Sequence, residues 1–193
     1  TAWCPGTSRA AAPLFAAPFM AYDTGDRAMS IAVGDFNGDG RPDLVTADFD
    51  LDAVSVLLAN GDGSYWPRTD YPTASKPRCV ATGDFNADGK LDLVVANYYS
   101  SSVSVLLGTG YGGFGAKTDF VTRTYPTSVA VDDLDADGKL DLVVTNQIDN
   151  VVSSLRGNGD GTFAVHRDFL TGMGPWSVAI GDMNNDGKPD AVV

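Results

Sequence analysis

The sequence predicts an all-β protein, a β-propeller of four-stranded antiparallel blades that repeat every 49 residues. Three observations support this fold class. Related segments recur at a constant spacing, short apolar runs alternate with turns rich in Gly, Asn and Asp, and no run shows the 3.6-residue periodicity of a helix. Composition agrees, because all 25 acidic residues are Asp and the good helix former Glu is absent.

The repeat is clearest in an acidic ten-residue segment that occurs at 34–43, 83–92, 132–141 and 181–190. Successive copies are 49 residues apart in all three intervals, which chance does not readily produce. A period of this length is typical of a propeller blade. The leading aspartates of the four copies are Asp35, Asp84, Asp133 and Asp182.

Each period contains four predicted strands. In the first repeat, strands are predicted at 30–33, 44–47 and 54–58, and the third strand ends at the turn Asn60-Gly61-Asp62-Gly63. Asn-Gly and Asp-Gly indicate a hairpin because they tolerate positive φ. The fourth strand is predicted to begin at the aromatic residue after this turn, which is Tyr65, Phe114 or Phe163.

Several of these strands are apolar on both faces. In the first strand, Ile31 and Val33 form one side and Ala32 lies on the other. A sheet buried on both faces needs a neighbour on each side, and blades stacked around an axis supply these neighbours.

The predicted domain organisation is an N-terminal extension at 1–14 followed by propeller repeats over 15–193. An isolated fourth strand is expected near 15–22, and the last blade should contain only two strands. We therefore expect about three full blades with partial blades at both ends. Such an array would be a segment of a longer propeller or be completed by another chain, because open sheet edges are a liability. The predicted blade units are about 28–76, 77–125, 126–174 and a partial unit at 175–193.

The acidic segments have the pattern D-x-[DN]-x-D-G-x-x-D, and we call them loops one to four. Oxygen side chains at positions 1, 3, 5 and 9 suit Ca²⁺, which takes about six to eight oxygen ligands. Glycine at position 6 lets the chain turn back, and the backbone carbonyl at position 7 is a further expected ligand. We therefore predict up to four structural Ca²⁺ ions. The predicted ligands are Asp35, Asn37, Asp39, Arg41 and Asp43; Asp84, Asn86, Asp88, Lys90 and Asp92; Asp133, Asp135, Asp137, Lys139 and Asp141; and Asp182, Asn184, Asp186, Lys188 and Asp190.

Two other interpretations of the loops fit the pattern less well. An EF-hand requires a bidentate Glu at position 12 and flanking helices, whereas position 12 here is Thr or Val and the flanks are predicted strands. The aspartates could instead only form Asx-turns. Four copies favour metal binding, and four Ca²⁺ ions would bring the formal charge of −12 to −4. Mg²⁺ fits less well because it resists dehydration and prefers stricter octahedral geometry.

The segment 36–45, its copies, and the turn at 158–163 resemble FG-GAP (VCBS-type) repeats. These repeats build the integrin α-subunit β-propeller and related secreted propellers of bacteria and fungi, some of them lectins. The resemblance covers about 15–193. It implies a structural Ca²⁺ between the first two strands of each blade and an extracellular or periplasmic protein. Loop three departs from the pattern, since Asp132 replaces Gly and Asp135 replaces Asn.

Catalytic candidates are few. His166 is the only histidine and is expected to be a surface or packing residue, and no base lies near the serines in sequence. The sequence does not decide whether Cys4 and Cys79 are free thiols or form a disulfide. The predicted function is a non-catalytic calcium-binding extracellular β-propeller for recognition or assembly. A carbohydrate-binding lectin and a propeller module of a polysaccharide-acting enzyme are the alternatives.

Strand order predicts two different faces. The acidic loops and the third-to-fourth-strand turns lie on one, and the second-to-third-strand loops and the links between blades lie on the other. The second face carries the predicted ligand contacts Tyr98, Tyr99 and Trp176, together with Tyr71 and Tyr125. Tyr71, Tyr125 and Trp176 could instead wedge between blades. The expected partners are a protein or glycan ligand, further propeller blades or another copy of the chain. Acidity argues against nucleic acid, and no apolar run is long enough for a membrane span.

Overall fold

The computed structural model describes residues 21–193, and these residues contain strands and turns but no helix. The predicted all-β fold class is therefore confirmed. The extension at 1–14, most of the strand expected near 15–22, and Cys4 lie outside the described residues. The strands are β1 (Ala28–Gly34), β2 (Asp43–Asp48), β3 (Ala53–Leu57), β4 (Thr69–Pro72), β5 (Pro77–Gly83), β6 (Asp92–Asn97), β7 (Ser102–Leu106), β8 (Thr118–Val121), β9 (Pro126–Asp132), β10 (Asp141–Asn146), β11 (Val151–Leu155), β12 (Arg167–Leu170), β13 (Ala179–Gly181) and β14 (Asp190–Val192).

The strands form three four-stranded antiparallel sheets and one two-stranded sheet. Each large sheet is a simple meander: β1 to β4, β5 to β8, and β9 to β12. The last sheet pairs β13 with β14. We call these sheets blades one to four. Because each blade holds one copy of the repeat, the predicted four-stranded blades with their 49-residue period are confirmed.

The second and third strands of each full blade form its core. Val54, Val94 and Val144 on these strands are completely buried. The first strands of successive blades contact one another, β1 with β5, β5 with β9 and β9 with β13. The first strands therefore follow a common axis, and the middle strands are buried where neighbouring blades pack.

The fourth strand begins later than the sequence predicts. Phe114 and its counterparts in blades one and three form isolated bridges, and the regular strands begin four residues further on. The Phe114 ring instead packs edge-on against Phe36 and Tyr71 of the preceding blade, with ring centroids 5.6 and 5.4 Å apart. The backbone N–H of Gly112 also donates to the Phe36 carbonyl at 2.8 Å. Phe114 therefore packs against the preceding blade, although its strand propensity alone would place it in β8.

Tyr71 is also placed differently from the face predicted for it. Its hydroxyl lies close to Gly113, which is in the turn between the third and fourth strands of blade two. A Cβ atom built on Gly113 would be 3.6 Å from the Tyr71 hydroxyl oxygen. Tyr71 therefore wedges between blades one and two on the side of the acidic loops.

No helix in the described part of the chain is both long and apolar enough to cross a membrane.

Candidate metal centre

Each acidic loop connects the first and second strands of its blade, as predicted. In loop one, Asp35 at position 1 folds back over the turn. Its Oδ1 accepts hydrogen bonds from the N–H groups of Gly38 and Asp39 at 2.8 and 3.1 Å, and its Oδ2 accepts one from Gly40 at 2.7 Å. Loops two, three and four repeat the bond from the position-6 glycine at 2.8 Å. The position-1 carboxylate therefore organises the loop around itself.

Position 3 converges on position 1 wherever it is Asn. In loop one the Asp39 N–H also donates to Asn37 Oδ1 at 3.0 Å, so the oxygens of positions 1 and 3 meet at one donor. Loops two and four show the same paired acceptance, at 3.1 Å for Asn86 and 2.9 Å for Asn184. Two hard oxygens are thereby brought together, as a Ca²⁺ site requires.

Position 5 faces the basic side chain at position 7 in the first three loops. Asp39 Oδ2 pairs with Arg41 at 2.7 Å, and Asp88 Oδ2 pairs with Lys90 at 3.1 Å. The hydrogen bond from Lys90 lowers the pKa of Asp88. The corresponding carboxylate in loop three, Asp137, lies 3.6 Å from Lys139 Nζ. That position 5 binds an ion, and that the position-7 carbonyl does so, remain predictions.

Position 9 has a structural role that the sequence pattern did not reveal. In loop two, the completely buried Asp92 accepts the N–H of Phe85 at 2.9 Å and that of Gly108 at 2.7 Å. Gly108 follows the third strand, so one carboxylate joins the loop to the far end of β7. Asp43 and Asp141 make equivalent pairs of bonds in their own blades. Asp190 in loop four accepts only the bond from Met183, at 3.1 Å.

The two ends of the loop differ in electrostatics. Backbone hydrogen bonds, the largest from Gly40, lower the pKa of Asp35. Burial raises the pKa of Asp43, Asp92 and Asp141, even though two N–H donors face each of these carboxylates. In loop one the carboxylate of Asp35 is thus stabilised by its donors, whereas position 9 of the first three loops lacks full compensation for its charge. A divalent cation beside it would supply that compensation.

Two positions of the loop need left-handed backbone. The position-6 glycines have φ of 79–82°, which confirms the reason for glycine there. Position 4 is also left-handed, although only loop one has Gly there; Ala87 and Ala136 have φ of 57° and 59°. Sequence reasoning missed this requirement, which was signalled by Gly38 in loop one and by Asn185 in loop four, whose φ is 60°.

Loop three is the most acidic of the loops. Ligand atoms of Asp133, Asp135 and Asp141 lie within 4.8 Å of one another, and these residues form the only such acidic group found within residues 21–193. Asp135 and Asp137 also pair with Arg156, whose Nη2 is 3.3 Å from Asp137 Oδ2. The donor set is therefore hard oxygen throughout, a chemistry that suits Ca²⁺ and offers no soft ligand for a thiophilic metal.

The second face carries a continuous set of aromatic and cationic side chains. Tyr98 stacks on Tyr125 with centroids 4.5 Å apart, and its hydroxyl donates to Gln147 Oε1 at 2.9 Å. Its neighbour Tyr99 is 57% exposed. Of the predicted ligand-binding residues, Tyr99 therefore exposes more than half of its surface to solvent, whereas Tyr98 is partly covered.

Trp176 completes this surface, and like Tyr99 it is 57% exposed. The guanidinium of Arg78 lies 3.9 Å from the Trp176 ring centroid and 4.8 Å from that of Tyr98. Arg78 and Trp176 occupy the same repeat position two blades apart. We call the set Arg78, Tyr98, Tyr99, Tyr125 and Trp176 the aromatic face.

The single histidine belongs to a partly buried polar network. His166 Nδ1 and Ser153 Oγ both lie 2.7 Å from Asp168 Oδ1, and Arg123 Nε donates to Asp168 Oδ2 at 2.6 Å. Although burial alone would raise the pKa of Asp168, these hydrogen bonds lower it overall. Serine and histidine thus bond to the aspartate separately. A nucleophilic relay would need the serine to bond to the histidine instead.

Comparison with known families identifies the repeat. A family model described as an FG-GAP-like repeat matches residues 35–95, 84–144 and 133–193. The successive matches are offset by the period read from the sequence. No curated protein matches the chain significantly.

Solved structures share the fold. A protein of unknown function from Desulfotomaculum acetoxidans DSM 771 superposes with a TM-score of 0.61 at 19% identity, covering 76% of this chain and 43% of its own. BBS1N in complex with ARL6DN gives 0.59 at 16% identity, covering 82% and 49%. The Photorhabdus luminescens Tc holotoxin pore gives 0.51 at 21% identity, covering 86% and 9%. The chain therefore spans less than half the length of each of these similar structures, and the likeness shows a propeller-like fold.

Proposed function

Because the chain belongs to the FG-GAP-like repeat family, we propose that it is a non-catalytic, calcium-binding β-propeller module that acts outside the cell in recognition or assembly. The main support for calcium is the convergence of oxygen side chains in every acidic loop. Positions 1 and 3 share one N–H donor in three loops, and three carboxylates cluster in the remaining one. Close carboxylates repel one another, and a divalent cation would convert that repulsion into attraction.

The ion would have a structural role. Each loop joins the first two strands, and in loops one to three the position-9 carboxylate is bonded to the end of the third strand. A cation in the loop would therefore hold three strands of a blade in register. Residues at positions 1, 3 and 9 would hold the ion in this arrangement.

Removal of calcium tests the proposal. Saturating Ca²⁺ binds only the folded state, so it should raise the melting temperature above that in EDTA by at least about 10 °C, given about 2.7 kcal/mol per site at 100 times Kd. Scanning calorimetry with and without chelator measures this change. Asp84→Ala should reduce the calcium effect, whereas Asp26→Asn, at an exposed aspartate outside the loops, should not. Absence of heat on titration with millimolar Ca²⁺ would refute calcium binding.

For recognition, the aromatic face is the best-supported surface. Aromatic and Arg side chains are enriched where proteins bind one another, and Tyr99 and Trp176 are exposed. BBS1N, which shares the fold, was solved in complex with ARL6DN, which supports a protein ligand. Tyr99→Ala with Trp176→Ala is the variant that removes this surface.

The same exposed rings could stack on sugars, so a lectin is the second candidate. A glycan array probed with labelled protein, in Ca²⁺ and in EDTA, separates the two. Binding that the double alanine variant abolishes would identify a lectin. An array without signal would leave protein recognition as the function of this face.

A further inference from the structure

Blade three differs from blades one and two at two positions that lie close together in space. Position 3 of the acidic loop is Asn37, then Asn86, then Asp135. At the end of the third strand, the corresponding residues are Leu58, Leu107 and Arg156. Blade three therefore gains one negative and one positive charge relative to the other blades.

The leucines of the first two blades pack against the following blade. A Cβ added to Gly112 would lie 2.5 Å from Leu58 Cδ1, and one added to Gly161 would lie 2.9 Å from Leu107 Cδ2. Arg156 instead turns to its own loop and pairs with Asp135 and Asp137. The same repeat position thus serves packing in two blades and electrostatics in the third.

This ion pair changes the geometry of loop three. Asn37 and Asn86 accept the position-5 N–H together with the position-1 carboxylate. In loop three the Asp137 N–H donates to Asp133 Oδ1 at 3.1 Å, while the Asp135 carboxylate pairs with Arg156. Position 3 is therefore engaged by a cation of the chain itself.

We propose that Arg156 is a built-in counter-ion of loop three, which competes with Ca²⁺ for Asp135 and lowers the calcium affinity of that loop. The inference rests on the calcium binding proposed above. Without the guanidinium, loop three has a carboxylate at each of positions 1, 3, 5 and 9 and would be the tightest of the loops. With it, binding requires Asp135 to leave Arg156 or to share its charge.

The competition depends on charge and is therefore screened. Arg156 is 57% exposed, so its pairing is weak in high salt. We expect Arg156→Leu, which restores the residue of blades one and two, to tighten calcium binding at loop three by about three- to tenfold at low ionic strength. The gain should shrink as salt is added.

Each loop can be observed separately. The N–H groups of Gly40, Gly89 and Gly138 donate to the position-1 carboxylate of their own loops, so their amide resonances report their own sites. Calcium is titrated into chelator-treated, ¹⁵N-glycine-labelled protein and followed by ¹H–¹⁵N correlation spectra. In Arg156→Leu the Gly138 resonance should shift at lower calcium concentration than in the wild type, while Gly40 and Gly89 respond as before.

Three variants control for charge and folding. Arg167→Thr also removes one positive charge, and threonine is the residue that blades one and two have at this position. The Arg167 side chain forms no ion pair with residues 21–193. Because Arg167 lines the same cavity as Asp135 but pairs with none of the loop carboxylates, this variant should move the Gly138 midpoint less than Arg156→Leu does. Arg156→Gln keeps a polar side chain and should act like the leucine variant. Asp135→Asn combined with Arg156→Leu recreates the composition of loops one and two and should bind less tightly than Arg156→Leu alone.

The outcomes are distinguishable. If Gly40 and Gly89 respond to calcium but the Gly138 midpoint is the same in Arg156→Leu, or moves to higher calcium, the counter-ion role is wrong and calcium binding stands. If no loop glycine responds to millimolar Ca²⁺ in any variant, the proposed function itself fails, and the counter-ion role fails with it.

Discussion

At the scale of single residues, a polar triplet recurs in the three full blades, at the end opposite the acidic loop; two of its members are buried and its fourth-strand aspartate is partly exposed. In blade two, Asn97 Nδ2 donates to Ser104 Oγ at 2.9 Å, and Ser104 donates to Asp119 at 2.6 Å. Blade three repeats this chain of bonds through Ser153. Blade one has Asp48 where the others have Asn, so the Ser55 hydroxyl lies between two carboxylates, 2.5 and 2.7 Å away. One hydroxyl proton cannot satisfy both of them.

Asp48→Asn should therefore stabilise the protein at pH 7, by about 1 kcal/mol, because the amide supplies the missing donor. Burial raises the pKa of Asp48 in the folded protein. A raised carboxyl pKa means that the wild type loses stability as the pH rises from about 4, the unfolded value, through the folded value. The advantage of the variant should thus be absent near pH 3 and grow as the pH rises through the folded pKa towards pH 7. Urea denaturation at both pH values measures it.

The reverse substitution is the matched control. Asn97→Asp places a second carboxylate beside Ser104 and should destabilise the protein at pH 7 but much less at pH 3. Equal effects of both substitutions at the two pH values would contradict the electrostatic explanation.

At the scale of elements, the junction between blades depends on one inserted aromatic. Phe163 lies edge-on between Phe85 and Phe120 of the preceding blade, with centroid distances of 5.7 and 5.4 Å. Tyr22 and Tyr65 form the same kind of edge contact at 5.0 Å, two repeats earlier. Phe169 is the residue of blade three that corresponds to Phe120. No ring within residues 21–193 packs against it, and it is 56% exposed.

Phe120→Ala should lower the free energy of unfolding by about 2 kcal/mol, because it removes half-buried apolar area and one edge-to-face ring pair. Phe169→Ala is the matched control at the same repeat position, and should change stability by less than about 0.5 kcal/mol. Chemical denaturation of the calcium-saturated protein provides the comparison. Similar losses from both variants would show that the ring pair does not hold the junction.

The elements also show which predictions from local sequence succeed. The first three strands of each full blade lie where the apolar runs and turn residues place them. The start of the fourth strand was wrong because Tyr65, Phe114 and Phe163 have high strand propensity, yet their rings are used by the neighbouring blade. Contacts between repeats override local preference at this point.

At the scale of the whole molecule, burial depends on the position of a blade in the array. Ile31 is 57% exposed, whereas Val80 and Val129 at the same repeat position are each 5% exposed. No described sheet packs on the outer side of β1, so the expectation that first strands are buried on both faces does not hold for blade one. Burial of a strand in a stacked array therefore depends on whether a neighbouring blade covers it.

Charge is the other whole-molecule property. The chain has a formal charge of −12, and more than half of its aspartates lie in the four loops. Without calcium, the melting temperature should therefore rise as a non-binding salt such as choline chloride is added, because screening weakens repulsion between carboxylates. With calcium bound, the dependence should be much smaller. If the melting temperature in EDTA were the same at about 20 mM and about 500 mM salt, this repulsion between carboxylates would be refuted.

The sequence by itself determined the all-β class, the period, the first three strands of each full blade and the acidic loops with their turn glycines. These features depend on residues near one another in the chain, so pattern and propensity suffice. Tertiary structure alone decided that position 9 ties the loop to the end of the third strand, that Arg156 turns to Asp135, and that aromatic residues cross between blades. Each of these involves groups far apart in sequence, whose contact depends on how strands and blades pack.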